Sequence, residues 1–329
     1  MQLSYAQNLE DYHLDLVFAG QQTGTYVDVG GGHPVADNVS FWFYLAGWRG
    51  LVVEPQQALA DIYAHVRPRD RTVSCLAGRA EGEAEFHVVD KLHGFSTTVR
   101  EHAAGTGQFG TTFKTIVKPV RTLAALIAEA GLATIDFLKI DVEGAEADVL
   151  AGMDFERHRP RVVLVEAVAP GSMAEAWGAW EPDLLARGYR FAFFDRLNRF
   201  YVAEEAKHLA ARFPAKPAPW DSVKHLWDCG RAPERSDHPD HKLAQVLQQG
   251  FFAELPALDP ALLRRLIERG LDGVRPSGSD TMTALRGTSE FPRSMGEPAA
   301  DLAALLDTDQ LRAALGRIAC MYDGGHLLE

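Results

Sequence analysis

The segment YVDVGGG, residues 26–32, gives the first indication of the fold. Its apolar and β-branched residues predict a short strand that runs into three glycines, and the apolar spacing of residues 35–47 predicts a helix after the turn. The same order recurs, with a strand predicted at residues 51–54, a helix at 56–66 and a strand at 72–76. Strands that alternate with helices are typical of parallel sheets. We therefore predict an α/β fold with a mostly parallel, doubly wound sheet.

The alternation of strands and helices is interrupted between residues 80 and 120. Short β-rich pieces flank a glycine-rich stretch at residues 105–110, which predicts an inserted hairpin or flap. The alternation then resumes with a predicted strand at 135–140, a helix that starts near Gly144, and a strand at 161–165. A predicted hairpin closes the region, with its strands at residues 191–194 and 200–202.

Prolines mark the predicted end of this domain. The segment FPAKPAP, residues 213–219, continues neither a helix nor a strand, because proline removes a backbone donor and fixes φ. Apolar residues at helical spacing near 260–269 and 300–321 predict helices whose apolar faces pack on the main domain or on another subunit. The predicted organisation is a domain over residues 1–212, a proline-rich linker over 213–220, and a smaller C-terminal helical appendage over 221–329.

The composition is that of a folded, acidic protein. The chain has 329 residues, of which 47% are hydrophobic and 24% charged, and its 33 Lys and Arg against 45 Asp and Glu leave a net charge of −12. That sign disfavours the phosphate backbone of nucleic acids as a partner. No apolar run approaches the roughly 20 residues that span a bilayer, and the N-terminus lacks the basic and apolar regions of a secretory signal. We therefore expect a cytoplasmic protein with no transmembrane segment and no nucleic-acid partner.

The glycine turn is the first candidate binding site. Asp28, Gly30, Gly31 and Gly32 lie where a predicted strand passes into a helix, and glycines there let a nucleotide-like ligand approach the backbone. Gly30 and Gly32 supply G-x-G, but Val35 stands where the dinucleotide fingerprint has its last glycine. The turn therefore disfavours a cofactor with a pyrophosphate, such as NAD.

A carboxylate ends the second predicted strand. Glu54, followed by Pro55, stands where α/β nucleotide folds bind a ribose diol through paired hydrogen bonds. The combination of this acid with the glycine turn is more specific than either feature alone.

Three further carboxylates follow the predicted strands at 135–140 and 161–165. Asp141 and Glu143 end the first of these strands, and Glu166 ends the second. The carboxyl ends of parallel strands meet at one edge of a sheet, so these side chains are expected to lie near one another. Such a cluster can bind a divalent cation or hold a general base with a raised pKa.

Seven segments between residues 4 and 205 form a combined pattern, namely SYAQN, YVDVG, GWRGLVVEP, GFSTT, FLKIDVEGAE, RPRVVLVEA and LNRFYVAEE. This combination resembles the FkbM-type methyltransferases. The resemblance implies a Rossmann-like class I methyltransferase fold and S-adenosylmethionine as the methyl donor. It also implies an acceptor hydroxyl on a sugar, a polysaccharide or a glycosylated natural product.

The family pattern also implies roles for individual residues. Asp28 and Gly30 would contact the methionine and ribose part of the cofactor, and Glu54 the ribose hydroxyls. Asp141 and Glu143 would border the methyl-transfer cleft. The full set of predicted cofactor-binding residues is Asp28, Gly30, Gly31, Gly32, Glu54, Pro55 and Asp141.

The chain departs from the pattern at two places. It has three glycines at 30–32, where the family commonly reads Gly-Ala-Asn or similar. It also has LAGR at residues 76–79, where many class I methyltransferases have an acid that meets the adenine. Backbone or apolar contacts to the adenine are therefore expected.

Methyl transfer to a sugar hydroxyl needs help at the oxygen, because the hydroxyl is a poor nucleophile until its proton begins to leave. Asp141 is the first candidate for the base, and Glu143 or Glu166 is the second. His33, at the mouth of the glycine turn, is the third. A divalent cation held by the carboxylates is the alternative to a base.

Two other functions stay open at this point. A NAD-dependent sugar-nucleotide oxidoreductase or epimerase shares the fold class, but it would need the full glycine fingerprint and commonly a Tyr-x-x-x-Lys pair, which the sequence lacks. The other function is that of a cofactor-binding module without catalysis, whose C-terminal helices dock on a partner enzyme of glycan assembly.

Overall fold

A computed structural model describes residues 3–90, 92–169, 172–259, 261–262, 265–266, 308–320 and 322 of the chain. The chain divides into two compact units, one formed by residues 1–229 with 309–329 and the other by residues 230–308.

The first unit contains a seven-stranded mixed sheet. In spatial order its strands are β10 (Tyr189–Phe194), β11 (Asn198–Ala203), β9 (Val162–Glu166), β8 (Phe137–Ile140), β2 (Thr25–Val29), β3 (Arg49–Val53) and β4 (Arg71–Val73). The pairings from β9 to β4 are parallel, whereas β9 with β11 and β11 with β10 are antiparallel. The predicted α/β class is confirmed. The sheet is mixed because the predicted hairpin, β10 with β11, adds antiparallel strands at the edge opposite β4.

The strand order reverses at β2. The chain runs outward from β2 through β3 to β4, and it later returns to the other side of β2 to form β8 and β9. Open α/β sheets bind ligands outside the carboxyl ends of the strands at such a reversal. In the register of the sheet, Val29 is opposite both Val53 and Ile140, so the residues after these three strands meet at one place.

The helices of the first unit are α1 (Glu10–Val17), α2 (Phe41–Leu45), α3 (Gln57–Val66), α4 (Arg100–Gly105), α5 (Leu123–Ala130), α6 (Glu146–Ala151), α7 (Glu181–Ala186), α8 (Leu226–Cys229) and α10 (Asp309–Ala319). The helix predicted at residues 35–47 begins only at Phe41. Asn38 explains this difference, because its Nδ2 donates to the carbonyls of Gly31 and His33 and keeps the preceding residues in a turn.

The core lies around the central strands. Val27, Leu51, Leu138 and Val163 have no exposed surface. Each such side chain contributes about 1.5–3 kcal/mol when it is buried. Strands that are apolar on both faces are typical of a sheet covered on both sides.

The predicted insertion is a separate three-stranded sheet of β5 (Leu76–Ala77), β7 (Phe113–Arg121) and β6 (Gly82–Val89), with β7 in the middle. Strands β6 and β7 pair antiparallel along their length, and α4 lies between them in the sequence. We call residues 82–121 the flap. It carries several residues that line the cavity described below.

The C-terminal helix α10 belongs to the first unit and packs against the N-terminal part of that unit. Gly316 allows this approach, because a Cβ there would lie 2.8 Å from Val35 and 3.1 Å from Val66. Tyr44 also donates from its hydroxyl to Asp309 Oδ1 over 3.2 Å. Two short strands also pair in this unit, with β1 (Leu3–Ser4) parallel to β12 (Lys224–His225).

These contacts divide the chain at residues 229 and 308, whereas the sequence predicted a linker at 213–220. The separate role predicted for residues 221–329 stays a prediction. The second unit contains α9 (His241–Glu254), and the helix predicted at 260–269 lies mostly outside the described residues. Among the described residues, no helix is long and apolar enough to cross a membrane.

Candidate functional site

A cavity of about 420 Å³ lies at the carboxyl ends of the central strands. The turns after β2, β3, β8 and β9 line it, together with parts of the flap. Among the described residues, those that line the cavity lie between Gln7 and Leu197 and belong to the first unit.

The glycine turn brings two strand ends into contact. Gly30 has φ of +75°, and a Cβ there would lie 1.7 Å from the backbone oxygen of Asp141, so only glycine fits. Gly31 is also tightly packed, since its Cβ would lie 2.5 Å from Val52. Gly32 has φ of +58° with open space around it. All three glycines line the cavity.

The amide groups of this turn already have partners. Gly30 and Gly31 donate to the carbonyl of Val53 over 2.9 and 3.3 Å, and Gly32 donates to Glu54 Oε2 over 2.8 Å. Loops that bind pyrophosphate direct such amides at the ligand. The turn therefore lacks the free donors that a pyrophosphate would need from these three residues.

Glu54 is held rigidly at the end of β3. Its Oε1 accepts from the amide of Gln56 over 2.7 Å, while its Oε2 accepts from Gly32. Burial raises the pKa of Glu54 to about 7, although the two backbone donors and Lys139 oppose the shift. Glu54 and the adjacent Pro55 both line the cavity. A carboxylate with fixed geometry is thus presented at the predicted ribose position.

Asp28 does not line the cavity, in contrast to the other predicted cofactor residues. Its side chain is fully buried, with Oδ2 accepting from Ser40 over 2.6 Å and Oδ1 lying 3.4 Å from Lys139 Nζ. The neighbouring Val29 lines the cavity instead, because alternate residues of a strand face opposite ways. Asp28 therefore supports Lys139 from behind the cavity wall.

Lys139 connects the glycine turn to the carboxylates. Its Nζ donates to the carbonyl of Gly30 over 2.5 Å and lies 3.3 Å from Asp141 Oδ2. Burial by itself would lower the pKa of Lys139, but Asp141 and Asp28 raise it above its usual value. The lysine is therefore a fixed cation at the base of the site.

The three predicted catalytic carboxylates come together. Asp141, Glu143 and Glu166 each offer an oxygen within 4.8 Å of the others, and all three line the cavity. Burial raises the pKa of Glu143 and Glu166 well above the usual range, and the charge of Asp141 raises it further. The cluster can accept a proton from a nearby hydroxyl, and its oxygens are the ligand type that hard divalent cations take.

His33, the remaining predicted catalytic residue, also lines the cavity. It is only 2% exposed, and its Nδ1 accepts from the amides of Val35 and Ala36 over 3.2 and 3.1 Å. These bonds hold the turn that follows the glycines. The imidazole therefore has an evident structural use at Nδ1, which makes it a weaker candidate for the base than the carboxylates.

Sequence reasoning gave no individual role to several residues that line the cavity. From the flap these are Phe86, His93, Gly94, Phe95, Ser96 and Thr98. The GFSTT segment at 94–98 was visible as part of the family pattern, but nothing in its composition shows that it folds over the cavity. Cys75, Leu76 and Ala77 line the side near Glu54, where an apolar adenine site was expected.

A cavity at the point where the order of parallel strands reverses, with a carboxylate at the end of the strand after a glycine turn, is characteristic of α/β proteins that bind nucleoside-containing ligands. Residues 28–191 match the family model described as methyltransferase FkbM domain, so this region of the chain is a domain of that family. The resemblance found in the sequence motifs is thereby confirmed. Comparisons with curated proteins and with solved structures found no match.

Proposed function

We propose that the protein is an S-adenosylmethionine-dependent O-methyltransferase of Rossmann-like class I type. Its acceptor is a hydroxyl of a sugar, a polysaccharide or a glycosylated natural product. The main support for the proposal is that the glycine turn, Glu54 and the three carboxylates line one cavity. This cavity lies within a domain of the FkbM methyltransferase family.

The cavity fits the proposed methyl donor. Its volume of about 420 Å³ falls in the range of about 300–1,000 Å³ that is usual for small-molecule sites. Glu54 would accept hydrogen bonds from the ribose hydroxyls. Leu76, Ala77 and Phe86 provide an apolar surface on the same side of the cavity for the adenine. S-adenosylmethionine, when bound, supplies an electrophilic methyl group on a sulfonium.

The glycine turn favours this donor over NAD. The sulfonium cofactor has no pyrophosphate and therefore makes no demand on the amides of Gly30, Gly31 and Gly32, which donate within the protein. Val35 at the last position of the fingerprint supports the same choice. The oxidoreductase alternative has no comparable support.

The carboxylate cluster lies where the acceptor would react. The methyl group leaves sulfur and forms a bond to the acceptor oxygen, and the proton of that hydroxyl passes to a carboxylate of the protein. Positioning must bring the reacting atoms within about 3–3.5 Å. Asp141 is the first candidate for the base, because it follows β8 directly and lies beside both Glu143 and Glu166.

The same three carboxylates are the residues that would hold a divalent cation. An oxygen from each lies within 4.8 Å of the other two, which lets all three reach one ion. A bound cation would stabilise the developing alkoxide of the acceptor. Turnover before and after treatment with EDTA, followed by addition of Mg²⁺, separates this arrangement from a metal-free base.

Calorimetry with S-adenosylhomocysteine and with NAD tests the choice of cofactor. We expect the wild-type protein to bind S-adenosylhomocysteine and not NAD. Glu83→Ala, which removes an exposed carboxylate of β6, is the matched control and should bind like the wild type. Tight binding of NAD would overturn the proposal. Binding without methyl transfer to any of a panel of sugar acceptors would favour the non-catalytic module.

A further inference from the structure

The turn after β8 has an unusual backbone at Glu143. This residue has φ of +58°, in the left-handed region that residues other than glycine seldom adopt, and the next residue, Gly144, has φ of +106°. The turn directs the chain into α6 while Glu143 lines the cavity with Asp141. A conformation of this kind persists only where surrounding contacts hold it.

Two side chains of the flap hold the carbonyl of Glu143. Thr97 donates from Oγ1 to this oxygen over 2.8 Å, and His102 Nδ1 lies 3.0 Å from the same oxygen. A carbonyl oxygen has two lone pairs, so it can accept both bonds. Together these bonds fix the direction of the peptide group between Glu143 and Gly144.

Both flap residues are themselves well fixed. Thr97 is 1% exposed, and its backbone exchanges two hydrogen bonds with His87 of β6. His102 lies on α4 and packs against the turn, because a Cβ at Gly144 would be 2.6 Å from its Cε1. Neither Thr97 nor His102 lines the cavity, although their neighbours Ser96 and Thr98 do.

On the other side of the turn, Glu146 Oε1 accepts from the amides of Gly144 and Val142 over 3.0 and 3.3 Å. The amides of the turn are thus held by α6 and its carbonyl by the flap. Removal of the flap contacts would leave the carbonyl of Glu143 free to rotate, and the residue would relax toward an ordinary backbone conformation.

We propose that Thr97 and His102 are positioning residues that hold the Glu143 carboxylate beside Asp141 and Glu166. The proposal rests on the proposed function for its catalytic meaning, but the placement of Glu143 can be measured without an acceptor. The two residues act through the backbone of Glu143 and not through contact with a substrate. The flap thereby contributes both a wall of the cavity and the geometry of the carboxylate cluster.

The test compares crystal structures of the wild-type and variant proteins at the turn after β8. The double variant Thr97→Val with His102→Leu removes both hydrogen bonds at similar side-chain size. We expect φ of Glu143 to leave the left-handed region in this variant, and its carboxylate to move away from Asp141 and Glu166. The conservative double variant Thr97→Ser with His102→Asn keeps both donors, and it should restore the wild-type turn.

An unchanged turn at Glu143 in the variant that lacks both donors would overturn the proposal, and so would an equal displacement of Glu143 in the conservative variant. The single variants Thr97→Val and His102→Leu carry the same test if the double variant does not fold. Binding of S-adenosylhomocysteine, measured in parallel, should be similar in all the variants. Failure of the wild-type protein to bind it would refute the proposed function and leave the structures of the variants to decide the role of Thr97 and His102.

Discussion

Affinity for S-adenosylhomocysteine should depend on the ionisation of Glu54. Both oxygens of this buried side chain already accept backbone hydrogen bonds, and burial raises its pKa to about 7. In the proposed complex the ionised form would accept hydrogen bonds from both ribose hydroxyls, so ligand binding would favour loss of the proton. The affinity should therefore rise with pH through about 7 and fall as the pH is lowered.

The size of this effect follows from the pKa. With a pKa of about 7, the ionised fraction of Glu54 falls roughly 25-fold between pH 7.5 and pH 5.5, and the affinity should fall by about the same factor. Glu54→Ala should weaken binding by about 1.5–3 kcal/mol at pH 7.5. It should also remove most of the pH dependence, whereas the surface control Glu83→Ala should keep it.

Calorimetry at several pH values measures the affinity directly. Repeating the titration in two buffers with different ionisation enthalpies measures the protons released on binding. We expect proton release near pH 6.5 in the wild-type protein and its loss in Glu54→Ala. An affinity that stays level between pH 5.5 and 7.5, or a pH dependence that survives in Glu54→Ala, would contradict this role of Glu54.

Substitutions also test the base, the pH profile of turnover and the packing of α10. Asp141→Asn should lower kcat by about 10²- to 10⁴-fold, with little change in the affinity for S-adenosylhomocysteine; full activity would eliminate Asp141 as base or ligand. Turnover should rise with pH on the acidic side, because the raised pKa of Glu166 keeps that carboxyl protonated at low pH, and Glu166→Gln should alter this limb of the profile. Gly316→Leu should destabilise the protein by about 1–3 kcal/mol through overpacking, measured by urea denaturation. Gly250→Ala, at an open position in α9, should instead be neutral or stabilising by up to about 1 kcal/mol, and equal effects of the two changes would contradict the packing described for α10.

The location of the cavity could be predicted from the sequence because a small number of physical rules determines it. Apolar strands that alternate with helices form parallel pairs, and the residues after those strands must then meet at one edge of the sheet. Glu54 and Asp141 each follow such a strand, so their meeting in one cavity needs no knowledge of distant contacts. The position of Gly30, Gly31 and Gly32 at the cavity could be predicted for the same reason, because these glycines also follow a strand.

The role of Asp28 was harder to predict. Its position at the end of β2 suggested contact with a ligand, but the side chain faces Ser40 and Lys139. Strand alternation gives two possible faces, and only the tertiary structure shows which of them borders the cavity. His33 likewise orders its turn through contacts that depend on the backbone conformation there.

Contacts between distant parts of the chain were not predictable from local patterns. Thr97 meets Glu143 across 46 positions, and α10 returns to Val35 and Val66 from the far end of the sequence. Amphipathic spacing predicts that a helix has an apolar face, but it does not identify the surface that covers it. For the same reason, the domain boundary predicted from the proline-rich segment at 213–220 differs from the boundaries at residues 229 and 308 that the contacts define.

In the proposed function, one cavity holds the nucleoside of the methyl donor at Glu54 and its sulfur near Asp141. A crystal structure of the protein with S-adenosylhomocysteine tests this most directly. We expect the ribose hydroxyls within hydrogen-bond distance of the Glu54 carboxylate, the adenine beside Leu76 and Ala77, and the sulfur facing Asp141. Binding of S-adenosylhomocysteine outside this cavity, or with its ribose away from Glu54, would contradict the assignment.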